Sequence, residues 1–408
     1  MKLTLPKIRI IAISVVAAIL VFSLGFWSGK SNIRVAYDKS KQKVNISREI
    51  PKQYKDVDFK LFWEVWDKLE ASYFDKSKLE PDKMVYGAIS GMVAALGDPY
   101  TVFLPPDDQK RSQEDLGGEF EGVGIQIGFK GTQLAVTAPL EGSPASAVGV
   151  KAGDFIIGIK DEVKGIDRGT SGISLQEAVS IIRGPAGTKV KLILVREGEE
   201  KPIEVEIVRT KIEVPSVVLN FVGDNKDVAH LKLLKFGEQT NKEWDEAVTK
   251  IRVEKPKAVV LDLRNNPGGF LNGAVFIASE FLKSGTAVMR ENGQGRRQEL
   301  TVLGKPKLLD NKLIVLVNKG SASASEIVAG ALKDHNRAQI VGEKTFGKGT
   351  IQESLELDDT GLHITTEKWL TPKGTWVHGE GLEPNIIIED NADTEEDEQL
   401  LKALELLR

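Results

Sequence analysis

The sequence predicts an α/β fold, α+β overall, and three observations support this class. After residue 214, apolar strand-like runs alternate with helical segments, and the runs at 258–263 and 313–317 are almost continuously apolar, as in strands buried on both faces. Between about residues 117 and 212, short strand patterns surround a single helical segment. Upstream, apolar residues recur at helical spacing in residues 59–73. The chain therefore divides into a helical region, a small mainly β unit and a layered core.

Composition limits the classes of function. With 408 residues the chain has room for roughly two to three domains, and its 41% hydrophobic and 28% charged residues are ordinary for a folded globular protein. A formal net charge of -4 gives no reason to expect nucleic acid as a partner. The absence of cysteine from the sequence excludes disulfides, thiolate zinc sites and a cysteine nucleophile.

The N-terminus carries a pattern typical of membrane insertion. Lys2, Lys7 and Arg9 precede residues 10–27, a run of 18 residues without a charge, which is about the minimum for a helix that crosses a hydrocarbon core of ~30 Å. A cleaved signal peptide, whose apolar region is usually shorter, is the alternative. We expect residues 1–30 to be a membrane anchor or signal segment. The protein would then be single-pass in the cell membrane, with its globular part periplasmic or extracellular.

Two segments precede the small β unit. Residues 31–55 are polar and rich in lysine, and we interpret them as a tether. In the helical region, 56–110, two amphipathic helices are expected at 59–73 and 84–96, because apolar residues recur there at helical spacing. Aromatic stripes of this kind are more often core or a subunit contact than a ligand site.

Residues 111–212 are expected to form the small β unit. Strand patterns lie at 124–128, 134–137, 155–159, 190–195 and 202–208, and one helix is expected at 174–183. The segment 161–174 is longer and richer in glycine than we expect between those elements, which predicts a flexible surface loop.

Residues 213–390 are expected to form the layered core. Strands are predicted at 258–263, 313–317 and 339–341, and helices at 273–282 and 324–333. Their alternation indicates a sheet covered on both sides. The last segment, 391–408, is acidic and then rich in leucine, and it is expected to be a helix packed on the surface.

A serine and a lysine form the candidate catalytic pair. Ser323 lies in the motif GSASASEI (320–327), and Lys348 follows 25 residues later in TFGKGTIQ (345–352). A serine hydroxyl needs a positioned base to act as a nucleophile at neutral pH. Of the four histidines, His335 belongs to the same predicted helix and would lie roughly 18 Å from Ser323 at ~1.5 Å rise per residue. A Ser-Lys dyad is therefore the economical interpretation.

Ser323 also has a purely structural interpretation. Ser323 and Glu326 match a Ser-x-x-Glu capping box ahead of an apolar helical run, so the serine can simply cap a helix. The same position suits chemistry, because the N-terminus of a helix offers free amides and the amide of Ala324 can stabilise an oxyanion. Ser321 and Ser325 are neighbouring candidates for the nucleophile.

Lys348 must be neutral to act as a base, so burial has to lower its pKa from the ordinary value of ~10.4. We expect Phe346 and the flanking glycines to pack this lysine tightly. Lys344, four residues earlier, is the matched control outside the motif. In an extended segment Lys348 and Gln352 share one face, so Gln352 can hold the amine by a hydrogen bond.

The motifs together resemble the carboxyl-terminal processing, or tail-specific, serine proteases. Besides the serine and lysine segments, the resemblance rests on LGDPYTVFL (96–104), on LDLRNNPGG (261–269), and on a PDZ-like stretch from about 117 to 212 that contains GVGI (122–125). Any one of these segments would be weak evidence for the family, whereas all five in the family's order are strong evidence. The resemblance covers the chain from about Phe59 to Ile388.

This resemblance implies a ClpP/crotonase-like protease core with an inserted PDZ domain and an N-terminal helical segment. It also implies that Gly122, Val123, Gly124 and Ile125 bind the terminal carboxylate of a peptide. Within the serine motif, the family's spacing favours Ser323 as the nucleophile.

The resemblance extends to further site residues. It implies a second oxyanion donor at Gly268 or Gly269, of which we prefer Gly269. A glutamine at the place of Gln352 holds the lysine amine in the family. An arginine in the context of Arg183 has been associated with coupling peptide capture to the protease core, so Arg183 is a candidate regulatory residue.

We interpret the chain as a serine endopeptidase that cleaves proteins recognised through apolar C-terminal tails. No metal or organic cofactor is expected, because the sequence has no His-Glu-x-x-His motif, phosphate loop or cysteine cluster. The alternatives are a catalytically inactive PDZ scaffold and a crotonase-like acyl-CoA enzyme. Expected partners are protein substrates and, through the N-terminal helix, the membrane. A homo-oligomer or an adaptor protein is left open.

Overall fold

The computed structural model describes residues 33–38, 43–48, 58–140, 142–389 and 396–408. The chain forms two compact units, Met1–Val85 and Tyr86–Arg408.

The first unit contains a hairpin and helical segments. Strands β1 (Ile33–Asp38) and β2 (Lys43–Arg48) pair antiparallel within the segment predicted to be a tether. Helix α1 (Lys60–Ser72), a 3₁₀ turn (Lys76–Lys78) and the start of helix α2 (Pro81–Ala94) follow. The two helices coincide with the predicted helical stretches. No residue of α1 is buried, so its aromatic stripe does not form a core among the described residues.

The second unit begins with strand β3 (Val102–Leu104) and helix α3 (Pro106–Gly117), followed by the PDZ-like elements. These are β4 (Glu119–Gly122), β5 (Ile125–Lys130), β6 (Gln133–Pro139), α4 (Pro144–Ala147), β7 (Phe155–Asp161), β8 (Ile166–Gly169), α5 (Leu175–Ile182), β9 (Lys189–Val195), β10 (Ile203–Val208) and β11 (Thr210–Glu213).

An antiparallel sheet with one main helix confirms the predicted PDZ-like module. Its strand order is β10-β9-β7-β6-β5, and β8 pairs with β7. The apolar face of α5 buries Ala178 and Ile182 against a core that includes Leu192 and Leu194, which explains the helical spacing of these residues. Strand β4 pairs with β11, so the two ends of the module lie side by side.

The segment 161–174 differs from the flexible loop that the sequence predicts. Strand β8 pairs antiparallel with the end of β7, and the Lys164 side chain reaches the C-terminus of α5. Its Nζ donates to the carbonyl oxygens of Ser180 at 2.7 Å and Arg183 at 2.6 Å. These contacts satisfy carbonyls that a helix end leaves free, so the segment is an ordered hairpin that caps the helix.

The remaining elements build the layered core. They are β12 (Val217–Val222), β13 (Val228–Leu233), α6 (Thr240–Glu254), β14 (Ala258–Asp262), α7 (Leu271–Ser279), β15 (Thr286–Asn292), β16 (Arg297–Thr301), β17 (Lys312–Val317), α8 (Ala324–Asp334), β18 (Gln339–Gly342), β19 (Thr350–Leu357), β20 (Thr360–Leu370), β21 (Ile386–Ile387) and α9 (Glu398–Leu407).

The main sheet has the order β12-β13-β14-β17-β18-β21, parallel from β13 onward. Alternate residues of its central strand face opposite layers. Val259 and Leu261 pack into the cluster that holds α6, α7 and α8, whereas Ala258 and Val260 pack with residues of α9. The predicted sheet with both faces covered is therefore confirmed, and the continuous apolar run in β14 follows from it.

A second sheet was not predicted from the sequence. Its order is β16-β15-β20-β19, with β3 added to β20, and its pairs are antiparallel. The register places Val102 opposite His363. Residues that precede the PDZ-like module in the chain therefore lie beside residues that follow it.

The membrane prediction needs correction. The predicted anchor, residues 10–27, lies outside the described residues, and among those described there is no helix with the length and apolar character to span a bilayer. Helix α6, with 15 residues, covers ~22 Å, whereas a hydrocarbon core measures ~30 Å. The prediction of single-pass localisation in the cell membrane with an extracytoplasmic globular part is contradicted by this finding, and the predicted membrane partner is not supported.

Candidate active site

Ser323 lies at the turn between strand β17 and helix α8, at the carboxyl edge of the parallel sheet. It is the N-terminal flanking residue of α8, with φ 54° and ψ -113°. Positive φ is uncommon for a residue with a side chain, and such conformations concentrate at functional sites. The Ser323 side chain is partly exposed, so its hydroxyl can be reached from outside the core.

The two neighbouring serines are buried and have structural partners. The Ser321 hydroxyl donates to the carbonyl of Leu263 at 2.8 Å, and the Ser325 hydroxyl donates to the carbonyl of Asn266 at 3.0 Å. Both bonds attach the start of α8 to the turn that follows β14. Of the three candidate serines, Ser323 is the one free to meet a substrate.

The buried carboxylate of Glu326 joins the serine segment to the lysine segment. One oxygen accepts from the backbone N–H of Ser323 at 2.8 Å and from that of Lys348 at 2.9 Å. The other accepts from the backbone N–H of Gly347 at 2.8 Å and from the Thr345 hydroxyl at 2.5 Å. Glu326 has no exposed surface. The carboxylate half of the predicted capping box is present, and it also fixes the chain at Lys348.

Lys348 is held in a partly buried position between α8 and the second sheet. Its carbonyl accepts from Trp369 Nε1 at 2.8 Å, so hydrogen bonds fix its main chain on both sides. Burial lowers the pKa of the Lys348 amine from its ordinary value, while the nearby Asp98 carboxylate acts in the opposite direction. Lys344, by contrast, is exposed and lies 3.4 Å from Glu383.

Phe346 does not pack the lysine as the sequence suggested. Its side chain is 57% exposed, because the chain turns it away from the core. The ring of Tyr100 takes that place, and Lys348 Nζ lies 4.9 Å from the ring centroid. Tyr100 and Asp98 belong to the motif at 96–104, which the sequence singled out without assigning either residue a role.

Gln352 lies on β19, extended as predicted. Its Nε2 donates to the hydroxyls of Thr350 at 2.9 Å and Thr365 at 3.1 Å. Within the described part of the chain no hydrogen bond joins Gln352 to Lys348 Nζ. The Thr365 backbone N–H donates to the Thr101 hydroxyl, which in turn donates to Asp98 at 2.7 Å. Gln352 is therefore linked to Asp98 through Thr365 and Thr101.

The glycine turn after β14 lies against the serine. A β-carbon at Gly268 would come within 2.8 Å of Ser323 Cβ and 3.0 Å of Ala324 N. The Gly268 N–H donates to Asn266 Oδ1 at 2.9 Å, so it is already engaged. The amides of Ala324 and Gly269 have no hydrogen-bond acceptor among the described residues. Both can therefore serve an oxyanion, and the geometry favours Gly269 over Gly268.

The PDZ-like module contains an apolar groove between β5 and α5. Its cavity of about 240 Å³ is lined in part by Val123, Gly124, Ile125 and Val179. Gly124 has φ +73°, and a β-carbon there would come within 2.3 Å of Ser143 Cβ, so a glycine is required. Gly122 does not line the cavity but pairs with Thr210 at the end of β4.

A larger cavity of about 1250 Å³ extends from α5 to the glycine turn. Gly268, Gly269 and His363 line it on the core side. Arg183 and Val179 line this cavity and the groove alike, so the two spaces meet at α5. Burial, and then the charge of Lys348, lower the pKa of His363. No local sequence pattern distinguished His363, because only its register opposite β3 brings it here.

Arg183 lies at the C-terminal end of α5, where the cavities meet. Its guanidinium is 3.5 Å from Glu114 and 3.8 Å from Asp115 on α3, and it covers the ring of Phe120 at 4.4 Å from the centroid. These contacts connect the groove helix to the helix before the module.

Comparison with known proteins finds similarity to proteases. Residues 227–388 match the model of Peptidase family S41, and residues 15–108 match that of the activating protease CtpB N-terminal domain. A carboxy-terminal-processing protease of Bartonella bacilliformis is 38% identical over 337 residues, which cover 80% of this chain and 74% of that protein. The carboxy-terminal processing protease CtpA of Bacillus subtilis is 35% identical over 332 residues, which cover 81% of this chain and 69% of that protein.

A solved structure is similar over most of the chain. The photosystem II D1 C-terminal processing protease is 30% identical, with a TM-score of 0.51, and the match covers 84% of this chain and 96% of that one.

Proposed function

The chain belongs to Peptidase family S41, the carboxy-terminal processing serine proteases, and we propose that it cleaves proteins with a Ser323–Lys348 dyad after binding their C-terminal tails. One observation carries the proposal. The Glu326 carboxylate accepts hydrogen bonds from the backbone of both Ser323 and Lys348, which sets the two residues on a common buried support.

The lysine acts first as a base and then as an acid. Neutral Lys348 takes the proton of Ser323 Oγ as that oxygen attacks the carbonyl carbon of the scissile bond. The resulting ammonium gives the proton to the leaving amine, and the acyl group stays on Oγ. Water then attacks the ester with Lys348 again as the base, which releases the acid and restores the serine. The lowered pKa of Lys348 supports this role, because the neutral amine becomes available nearer to neutral pH.

The negative oxygen of each tetrahedral intermediate needs fixed donors. The amides of Ala324 and Gly269 are the candidates, since both lie beside Ser323 and neither has an acceptor among the described residues. The N-terminus of α8 adds the positive end of a helix dipole at the same place.

Tail recognition belongs to the groove of the PDZ-like module. The amides of Val123 and Gly124 donate no hydrogen bond to any described residue, so they can bind a terminal carboxylate. The apolar lining favours an apolar terminal residue. Because the groove and the larger cavity share Val179 and Arg183, a tail held in the groove can extend toward the glycine turn. Arg183 is the proposed regulatory residue, since its ion pairs with α3 connect the groove helix to the helix before the module.

The decisive experiment compares the chain with Ser323→Ala, Lys348→Ala, the double variant and Lys344→Ala on a denatured protein that has an apolar C-terminal tail. The first three variants should lose cleavage to the same extent, because members of one catalytic unit are not additive. Lys344→Ala should cleave like the wild type, since that lysine is exposed and outside the site. Substantial turnover by Lys348→Ala at neutral pH would exclude the dyad. Binding of the tail without shortening would identify an inactive PDZ scaffold instead.

A further inference from the structure

The turn at residues 97–101 precedes the PDZ-like module, yet it lies against Lys348 of the core. Strand β3 follows the turn directly and pairs with β20 in a fixed register, with Val102 opposite His363. The buried Thr101 hydroxyl accepts from the backbone N–H of Thr365 on β20 at 3.0 Å. The position of this turn is therefore set by the second sheet.

Two side chains of the turn lie near the amine. The face of the Tyr100 ring lies 4.9 Å from Lys348 Nζ. Asp98 is within electrostatic reach of the same amine, and it is held by the Tyr100 backbone N–H at 3.0 Å and the Thr101 hydroxyl at 2.7 Å. The same Thr101 hydroxyl accepts from the Thr365 backbone N–H, and the Thr365 hydroxyl accepts from Gln352. The carboxylate is thus fixed by the same network that contains Gln352.

We propose that Tyr100 and Asp98 are positioning residues of the proteolytic site, with Tyr100 shielding the amine of Lys348 from water and Asp98 orienting it by charge. The inference rests on the proposed dyad and deepens it. The two residues act in opposite directions on protonation. Burial beneath the Tyr100 ring disfavours the ammonium by more than the cation–π attraction of the ring favours it, whereas the carboxylate of Asp98 favours it.

Other charged and titratable groups also surround the lysine. Burial, and then the charge of Lys348, lower the pKa of His363 on β20. His378 lies at the edge of the Tyr100 ring, with centroids 6.0 Å apart, and its Nδ1 accepts from the Gly349 backbone at 3.4 Å. Glu326 binds the backbone of Lys348 from α8. These groups remain unchanged in variants at Tyr100 and Asp98, so the difference between variants isolates the turn.

The test measures the protonation of Lys348 directly. The full chain is exposed briefly to trace acetic anhydride over a range of pH, and acetylation of each lysine is quantified by mass spectrometry. Only the neutral amine reacts, so the midpoint of the profile reports the pKa of each lysine. Lys344 is the internal control, because it lies on the same segment and is exposed.

Tyr100→Leu should move the midpoint of Lys348 upward, toward that of Lys344, because water then reaches the ammonium. Asp98→Asn should move it downward, because the favourable charge is lost. Tyr100→Phe keeps the ring and should leave the midpoint in place. The acidic limb of kcat/KM should move with each midpoint. A structural defect alone would not produce shifts of opposite sign.

An unchanged midpoint in folded Tyr100→Leu, or shifts of the same sign in the two variants, would overturn the inference. If Tyr100→Leu does not fold, Asp98→Asn decides, since an unchanged or raised midpoint refutes the role of the turn. Failure of this inference can be told apart from failure of the dyad. Shifted midpoints with an active Lys348→Ala would refute the dyad alone, and unshifted midpoints with an inactive Lys348→Ala would refute this inference alone.

Discussion

Replacing Glu326 by glutamine should destabilise the contact between the serine segment and the lysine segment, with little change in side-chain volume. Each carboxylate oxygen accepts two hydrogen bonds, from Ser323 and Lys348 on one side and from Gly347 and Thr345 on the other. In the variant one oxygen becomes an NH₂ group, which cannot accept from a backbone N–H. Whichever way the amide turns, at least one buried backbone donor loses its partner, and two do if the NH₂ faces Ser323 and Lys348.

The loss of stability follows from these donors. A buried donor left without an acceptor costs about 1–3 kcal/mol, so Glu326→Gln should lower the free energy of unfolding by about 1–6 kcal/mol. A domain is stable by only about 5–15 kcal/mol, so the effect is large. Denaturant unfolding measures it, with Glu383→Gln at an exposed ion pair as the matched control, expected to change by less than about 0.5 kcal/mol. A loss below about 0.5 kcal/mol in Glu326→Gln, with proteolysis intact, would refute the view that this carboxylate supports both residues of the proposed dyad.

Two further outcomes are expected. The proteolytic rate should rise with pH through the lowered pKa of Lys348 and be lost at lower pH, because only the neutral amine can accept the serine proton. The pH profile of kcat/KM checks this. An acidic limb that persists in the residual activity of Lys348→Ala would belong to another group, such as His363. Amidating the C-terminus of an apolar peptide should weaken its binding to the chain by removing the charge that we propose the Val123 and Gly124 amides bind. Calorimetric titration of matched acid and amide peptides into Ser323→Ala tests this, and equal affinities would mean that the groove does not read C-termini.

Local patterns predicted the parts of the fold that depend on short stretches of chain. The run in β14 and the helical spacing in α5 reflect burial along single elements, so periodicity was enough to find them. The antiparallel second sheet was missed, because β19 and β20 are largely half-buried or exposed and lack a clear alternation. The pairing of β3 with β20 joins segments far apart in the chain, which no local pattern records.

The same limit applies to the site. Local sequence motifs were sufficient to single out Ser323 and Lys348. Their shared partner Glu326 was predicted only as a capping residue. The sequence could not predict that Tyr100, rather than Phe346, packs against Lys348. Phe346 is close to the lysine in sequence, whereas Tyr100 reaches it through tertiary packing. A residue's neighbours in a site of this kind are decided by sheet register.

The pairing of β4 with β11 has a consequence for how such a protein can diversify. The chain leaves the core at Gly118 and returns at Val214, and the N–H of Val214 donates to the carbonyl of Gly118 at 2.8 Å. A segment whose two ends are already adjacent can be exchanged, lengthened or lost without separating the strands on either side. Selection can therefore alter the PDZ-like module while the protease core keeps its sequence, and a protein engineer can graft a different module at the same two residues.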